Sequence, residues 1–129
     1  MLSERLLDHF QNPRNPGELP APAVKVDVTN PACGDMLRLS ARVENGRIAE
    51  ARFLTRGCTA SIAASSALTE LLIGITLEAA AAINANLIEQ ALGGLEPESK
   101  HAAVLCADAA RALVRHVNDV QPAQPVTLT

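Results

Sequence analysis

Aromatic side chains are scarce in this sequence of 129 residues, which has no Trp, no Tyr and two Phe. Because hydrophobic residues make up 48% of the chain, a core can still form, and it must consist of Ala, Leu, Val and Ile. The length suits one domain. We expect that domain to span residues 1–120, followed by a flexible tail over residues 121–129 that contains Pro122 and Pro125.

An excess of positive charge, a long apolar run and a signal sequence are also lacking. The 11 Lys and Arg residues are outnumbered by 14 Asp and Glu residues, so no basic surface for nucleic acid is expected. No apolar run approaches the roughly 18 residues that a membrane-spanning helix needs. The start of the chain lacks the cationic and apolar regions of a signal peptide. We therefore expect a cytoplasmic protein that binds neither nucleic acid nor membrane.

The first half of the chain is predicted to form a small antiparallel sheet. Apolar and polar residues alternate over residues 24–29 and 37–44, as in strands with one buried face. Asn45-Gly46 is a strong hairpin signal, and residues 47–55 supply the returning strand.

A short amphipathic helix is predicted before the sheet, over residues 2–10. Ser3 is its expected N-cap, and its apolar face is expected to contain Leu6, Leu7 and Phe10. His9 is interpreted as a surface residue of this helix.

The second half of the chain is predicted to be helical. Helices are expected over residues 58–73, from Thr76 to residue 83, from Asn84 or Asn86 to residue 92, and over residues 99–120. The predicted fold class is therefore α+β, with helices packed on one face of a three-stranded antiparallel sheet and a long C-terminal helix.

Two segments carry residue types that bind metals. Cys33 and Asp35 are two positions apart in a loop, so their side chains can point to the same side. Cys58 begins a predicted helix, where backbone N–H groups favour a thiolate. Two thiolates and a carboxylate suit Zn²⁺ or iron. The alternatives are that Asp35 closes a turn and that Cys58 is a small buried side chain.

Three segments in order resemble the IscU/NifU/SufU family of iron–sulfur cluster assembly scaffolds. They are residues 2–15, with the turn Asn12-Pro13-Arg14-Asn15, residues 30–35 around Cys33, and residues 57–66, which begin with Gly57-Cys58. The resemblance spans roughly residues 2–120. It implies a scaffold rather than an enzyme, which takes sulfur from a cysteine desulfurase and assembles a [2Fe–2S] cluster. The cluster then passes to recipient apo iron–sulfur proteins, and Zn²⁺ is an alternative occupant of the same ligands.

The third ligand segment of the family is altered in this chain. His101 corresponds to the family's histidine, whereas Ala102 stands where the family has its third cysteine. Cys106 follows four residues later, about one helical turn away. Three interpretations remain open. His101 completes the site with Cys33, Asp35 and Cys58 while Cys106 is core; or Cys106 restores the third thiolate; or the site is degenerate.

The resemblance also implies partners beyond the desulfurase and the recipients, namely a chaperone or a frataxin-like protein. The segment before His101 departs from the family's chaperone site because Glu96, Glu98 and Ser99 make it polar and acidic. Two other functions stay open at this point. One is a zinc-dependent sulfurtransferase-type acceptor of sulfur from a cysteine desulfurase, and the other is a structural zinc domain.

Overall fold

A computed structural model describes residues 2–31 and 34–120 of the chain. It confirms the predicted α+β class, with a three-stranded antiparallel sheet and a long C-terminal helix. The elements in chain order are α1 (Glu4–Gln11), β1 (Val24–Thr29), β2 (Met36–Glu44), β3 (Arg47–Arg56), α2 (Thr59–Leu72), α3 (Leu77–Ala81), α4 (Ala85–Ala91), a 3₁₀ turn (Pro97–Ser99) and α5 (Lys100–Val120). The predicted tail over residues 121–129 lies outside the described residues.

The sheet has the strand order β1-β2-β3, and its hairpin turn is the predicted Asn45-Gly46. Both turn residues have positive φ angles, 53° and 74°, as a two-residue hairpin of this kind requires. The register pairs Met36 with both Thr29 and Arg56. The segment before β2 and the segment after β3 therefore lie side by side at the same end of the sheet.

The core forms between the sheet and the helices α2 and α5. Helix α2 contacts β3, while α5 contacts β1, β2 and α2. Four buried alanines of α2 keep its backbone close to its neighbours: Ala60, Ala63, Ala64 and Ala67. This packing brings the first turn of α2 and the first turn of α5 to the end of the sheet where β2 begins.

No helix in the described ranges is long and apolar enough to cross a membrane.

The predicted cap of α1 is confirmed, but the predicted apolar face is wrong in part. The Ser3 hydroxyl accepts a hydrogen bond from the Leu6 N–H at 3.0 Å. Leu6 is buried, whereas Leu7 and Phe10 are 36% and 38% exposed, and His9 is buried instead. The reason is that α1 packs against α2 through the face that carries Leu6 and His9, which are three residues apart.

The buried His9 ring is hydrogen-bonded to α2 and to the turn after α1. Its Nδ1 lies 2.8 Å from the Ser66 hydroxyl oxygen, which also accepts the Arg14 backbone N–H at 2.8 Å. Its Nε2 lies 3.4 Å from Oε1 of Glu70. The Asn12-Pro13-Arg14-Asn15 turn is therefore attached to α2 through a polar network, which explains why a histidine occupies this buried position.

His9 should make the stability of the fold depend on pH. Burial lowers the pKa of His9 from its ordinary value, and the nearby Arg14 lowers it further against the opposing effect of Glu70 and Asp8. The unfolded chain therefore binds a proton at His9 at higher pH than the folded chain does, so the free energy of unfolding falls as the pH drops below the ordinary histidine pKa. We expect the loss of melting temperature from about pH 7.5 to about pH 5.5 to be smaller in His9→Gln.

The matched control is His116→Gln, because His116 is exposed on α5. This variant should show the same pH dependence of melting temperature as the unchanged protein. Equal pH dependence in the His9 and His116 variants would contradict the role assigned to His9.

Candidate metal site

Asp35 directly precedes β2 and is buried against Gly57, which directly follows β3. A Cβ atom added at Gly57 would lie 2.7 Å from Cγ and 2.8 Å from Oδ1 of Asp35. Such distances are shorter than real Cβ contacts. The carboxylate therefore occupies space that is available because residue 57 has no side chain.

Cys58 is the N-cap residue of α2, and its side chain makes no capping hydrogen bond. Its thiol is exposed, as the N-terminal position allows. The Sγ atom lies 3.8 Å from Oδ2 of Asp35. The strand pairing that places Gly57 beside Asp35 thus also places the thiol at the carboxylate.

His101 is the second residue of α5, and its imidazole lies beside both Asp35 and Cys58. Its Nε2 lies 3.3 Å from Oδ2 of Asp35 and 3.8 Å from Sγ of Cys58. The preceding residue, Lys100, is ion-paired with Glu89 of α4 at 3.0 Å, which attaches the start of α5 to its neighbour. His101 is 30% exposed, so the site opens to solvent on its side.

The three donor atoms match the spacing of ligands around one metal ion. The carboxylate oxygen, the thiol sulfur and the imidazole nitrogen all lie within 4.8 Å of one another. Bonds of about 2.0–2.3 Å in a tetrahedral zinc site place its ligand atoms about 3.3–3.7 Å apart. The measured separations of 3.3, 3.8 and 3.8 Å need only small adjustments to reach that geometry. One thiolate, one carboxylate and one imidazole would leave one coordination position for a further ligand.

Of the two other cysteines, the structure describes Cys106 and not Cys33. Cys33, predicted as a ligand, lies outside the described residues. Cys106 is fully buried, and its Sγ lies 3.9 Å from the hydroxyl oxygen of Ser65. Burial raises the pKa of Cys106 to about 12, so its thiol stays protonated at neutral pH, against a smaller opposing effect of Ser65. Within residues 2–31 and 34–120, Cys106 is not part of the group of converging ligand atoms.

Comparison with known proteins connects this geometry to a family. A family model described as the NifU-like N terminal domain matches residues 1–121. The chain belongs to this family. The predicted membership in the IscU/NifU group is thereby confirmed.

Relatives of this NifU-like domain are named as scaffold proteins. It is 42% identical over 111 residues to the iron-sulfur cluster assembly scaffold protein IscU 1 of Archaeoglobus fulgidus, a match that covers 86% of this chain and 72% of the relative. It is 44% identical over 117 residues to the iron-sulfur cluster assembly scaffold protein IscU of Azotobacter vinelandii, with 88% and 91% covered. The crystal structure of a NifU-like protein (N-terminal) from Brucella abortus shares the fold, with a TM-score of 0.70, 20% identity and coverage of 91% and 94%.

The contributions of two residues to the site were not identified from the sequence of this NifU-like domain. They are Gly57, against which the carboxylate packs, and Ser61. The Ser61 hydroxyl donates a hydrogen bond to Oδ2 of Asp35, and its oxygen lies 3.3 Å from Sγ of Cys58. A signal for Ser61 was present, because residues three apart at a helix start share one face. The role of Gly57 depends on the pairing of β2 with β3, which the local sequence does not specify.

Proposed function

We propose that this NifU-like domain is an iron–sulfur cluster assembly scaffold. In this proposal it binds iron, or Zn²⁺ as an alternative occupant, and transiently a [2Fe–2S] cluster that is delivered to apo-proteins. The observation that carries the proposal is the convergence of the donor atoms of Asp35, Cys58 and His101 within 4.8 Å. The names of the relatives, which are scaffold proteins for cluster assembly, support it.

Each side chain has a distinct task in this proposal. Cys58 supplies a thiolate at an exposed helix start, where a sulfur donor and an acceptor protein can both approach it. His101 contributes a neutral nitrogen ligand from α5. Asp35 contributes an oxygen, which is a weaker ligand than a thiolate for soft metal ions and therefore the one most easily exchanged. We assign the remaining position to Cys33, the ligand predicted from the sequence.

The proposed partners follow from the cargo rather than from any contact in the structure. Sulfur comes from a cysteine desulfurase, and clusters go to recipient apo iron–sulfur proteins. A chaperone or a frataxin-like protein is the further partner. The 3₁₀ turn Pro97–Ser99 directly precedes the helix that carries His101, so a protein bound to this turn would lie beside the metal ligands.

Zinc-dependent sulfur transfer is the second candidate, because the donor spacing suits Zn²⁺. This function needs an exchangeable thiol besides the one that holds the metal. Cys106 does not meet that need, since it is buried and protonated. Sulfur transfer would therefore depend on Cys33 and Cys58.

Anaerobic reconstitution with ferrous iron, cysteine, a cysteine desulfurase and a thiol reductant, which converts persulfide sulfur to sulfide, tests the proposal. We expect the unchanged protein to develop the visible absorption of a [2Fe–2S] cluster and to transfer that cluster to an apo-ferredoxin. Cys106→Ala should keep the cluster, whereas His101→Ala should lose most of it because one ligand is removed. His116→Ala is the matched control, since it removes an exposed histidine of the same helix.

Other results would redirect the assignment. Loss of the cluster in Cys106→Ala with retention in His101→Ala would mean that the third thiolate comes from Cys106. A protein that holds Zn²⁺ tightly and forms no cluster would contradict the scaffold function. In that case, persulfide on Cys58 would indicate sulfur transfer, and a metal-dependent melting temperature without any transfer would indicate a structural zinc domain.

A further inference from the structure

Ser61 lies in the first turn of α2 and is fully buried. Its hydroxyl donates a hydrogen bond to Oδ2 of Asp35, the oxygen that also faces Cys58 and His101. We propose that Ser61 is a positioning residue that holds the Asp35 carboxylate in the orientation needed to bind a metal ion. This inference rests on the proposed function, because it assumes that Asp35 is a ligand.

Asp35 is buried, so the orientation of its carboxylate depends on the groups packed around it. It directly precedes β2 and is not itself part of the strand. On one side the carboxylate lies against the bare backbone of Gly57, which permits this position but makes no directional bond. The hydroxyl of Ser61 supplies the direction. A hydrogen bond to one carboxylate oxygen favours the rotamer in which that oxygen faces Ser61.

The backbone of Ser61 is itself held by a hydrogen bond from Ser65. The Ser65 hydroxyl donates to the Ser61 carbonyl oxygen at 2.7 Å, and the Ser65 oxygen lies 2.6 Å from that of Thr55 on β3. The segment that presents the Ser61 hydroxyl is thus attached to β3, which pairs with the strand that begins directly after Asp35. A ligand whose partner is fixed in this way loses less conformational freedom when the metal binds.

Residues that orient a metal ligand typically contribute 10–100-fold to metal affinity, although they do not touch the metal. Ser61 has the position of such a residue toward Asp35. Because its oxygen is also 3.3 Å from Sγ of Cys58, a direct role at the metal is the competing explanation. The two explanations differ in one respect. A positioning residue matters only while Asp35 is present, whereas a direct ligand matters without Asp35 as well.

Titration of the metal-free protein with Co²⁺ distinguishes these explanations, because its visible spectrum reports both affinity and ligand geometry. We expect Ser61→Ala to weaken Co²⁺ binding by about 10–100-fold. Ser61→Thr retains a hydroxyl and should recover most of the loss. In an Asp35→Ala background, adding Ser61→Ala should change the affinity by no more than about 2-fold, as a double-mutant cycle predicts for two residues that act together.

Ser66→Ala is the matched control. It removes another buried hydroxyl of α2, one that contacts His9 and the Arg14 backbone instead of the site. It should leave Co²⁺ affinity unchanged, and thermal unfolding without metal should show that all variants are folded. Unchanged affinity in Ser61→Ala, or an equal loss in the Asp35→Ala background, would overturn the inference while the proposed function stands. Failure of the unchanged protein to bind Co²⁺ would overturn both.

Discussion

Replacement of Gly57 by Ala should remove most of the metal affinity although no ligand is changed. The new Cβ would lie 2.7 Å from Cγ of Asp35, so the carboxylate must move away from the point where it meets Cys58 and His101. We expect the affinity for Zn²⁺, measured by competition with a chelator of known affinity, to fall on the order of 100-fold, at the upper end of the effect of misplaced ligands.

The same substitution should destabilise the metal-free protein, because a buried carboxylate and a methyl group compete for one space. The expected cost is about 1–3 kcal/mol, as for other overpacked positions. The control is the double variant with Asp35→Ala, in which the competing carboxylate is absent. Gly57→Ala should then cost much less than it does alone. A cost that is the same in both backgrounds would show that Gly57 is needed for its backbone and not for Asp35.

Thiol labelling should separate Cys58 from Cys106 by a factor of about 1,000 or more at pH 8, because alkylation requires an accessible thiolate. Cys58 is exposed, whereas Cys106 is fully buried and its pKa is raised to about 12. Trypsin cuts after Lys25, Arg38, Arg56, Lys100 and Arg111, so the three cysteines fall in separate peptides. Mass spectrometry of a labelling time course therefore gives each rate directly.

Labelling in 6 M guanidinium is the control, and there the three thiols should react at similar rates. Zn²⁺ added to the folded protein should protect Cys58 and leave the slow reaction of Cys106 unchanged. Rapid labelling of Cys106 in the folded protein, with protection by Zn²⁺, would instead show that its thiol reaches the metal. That result would support the interpretation in which the third thiolate lies one turn further along α5.

The fold was predictable where local chemistry alone decides the structure. Strand β1 begins and ends at the predicted residues, and the Asn45-Gly46 turn joins β2 and β3 as predicted. In these segments the alternation of side chains and the turn geometry are properties of neighbouring residues. The apolar face of α1 was predicted wrongly, because His9 obtains its hydrogen-bond partners from α2, which lies more than fifty residues later in the chain.

The candidate site was likewise predictable only in part. Residue type and spacing singled out Asp35 and Cys58, the family resemblance added His101, and the structure brings these three together. That Cys33 completes the site stays a prediction. The contributions of Gly57 and Ser61 were missed, since each depends on where the Asp35 carboxylate lies in three dimensions.

The sequence by itself therefore determined the elements, the family and the ligand types of this protein. Only the tertiary structure decided which side chains meet, as Cys106 shows. His101 and Cys106 are five residues apart, which places them about 7.5 Å apart along the axis of α5 and about 140° apart around it. The packing of α5 places His101 beside Cys58 at the end of the sheet and Cys106 beside Ser65 in the core. These two positions depend on contacts between segments that are far apart in the chain, which a pattern of neighbouring residues does not specify.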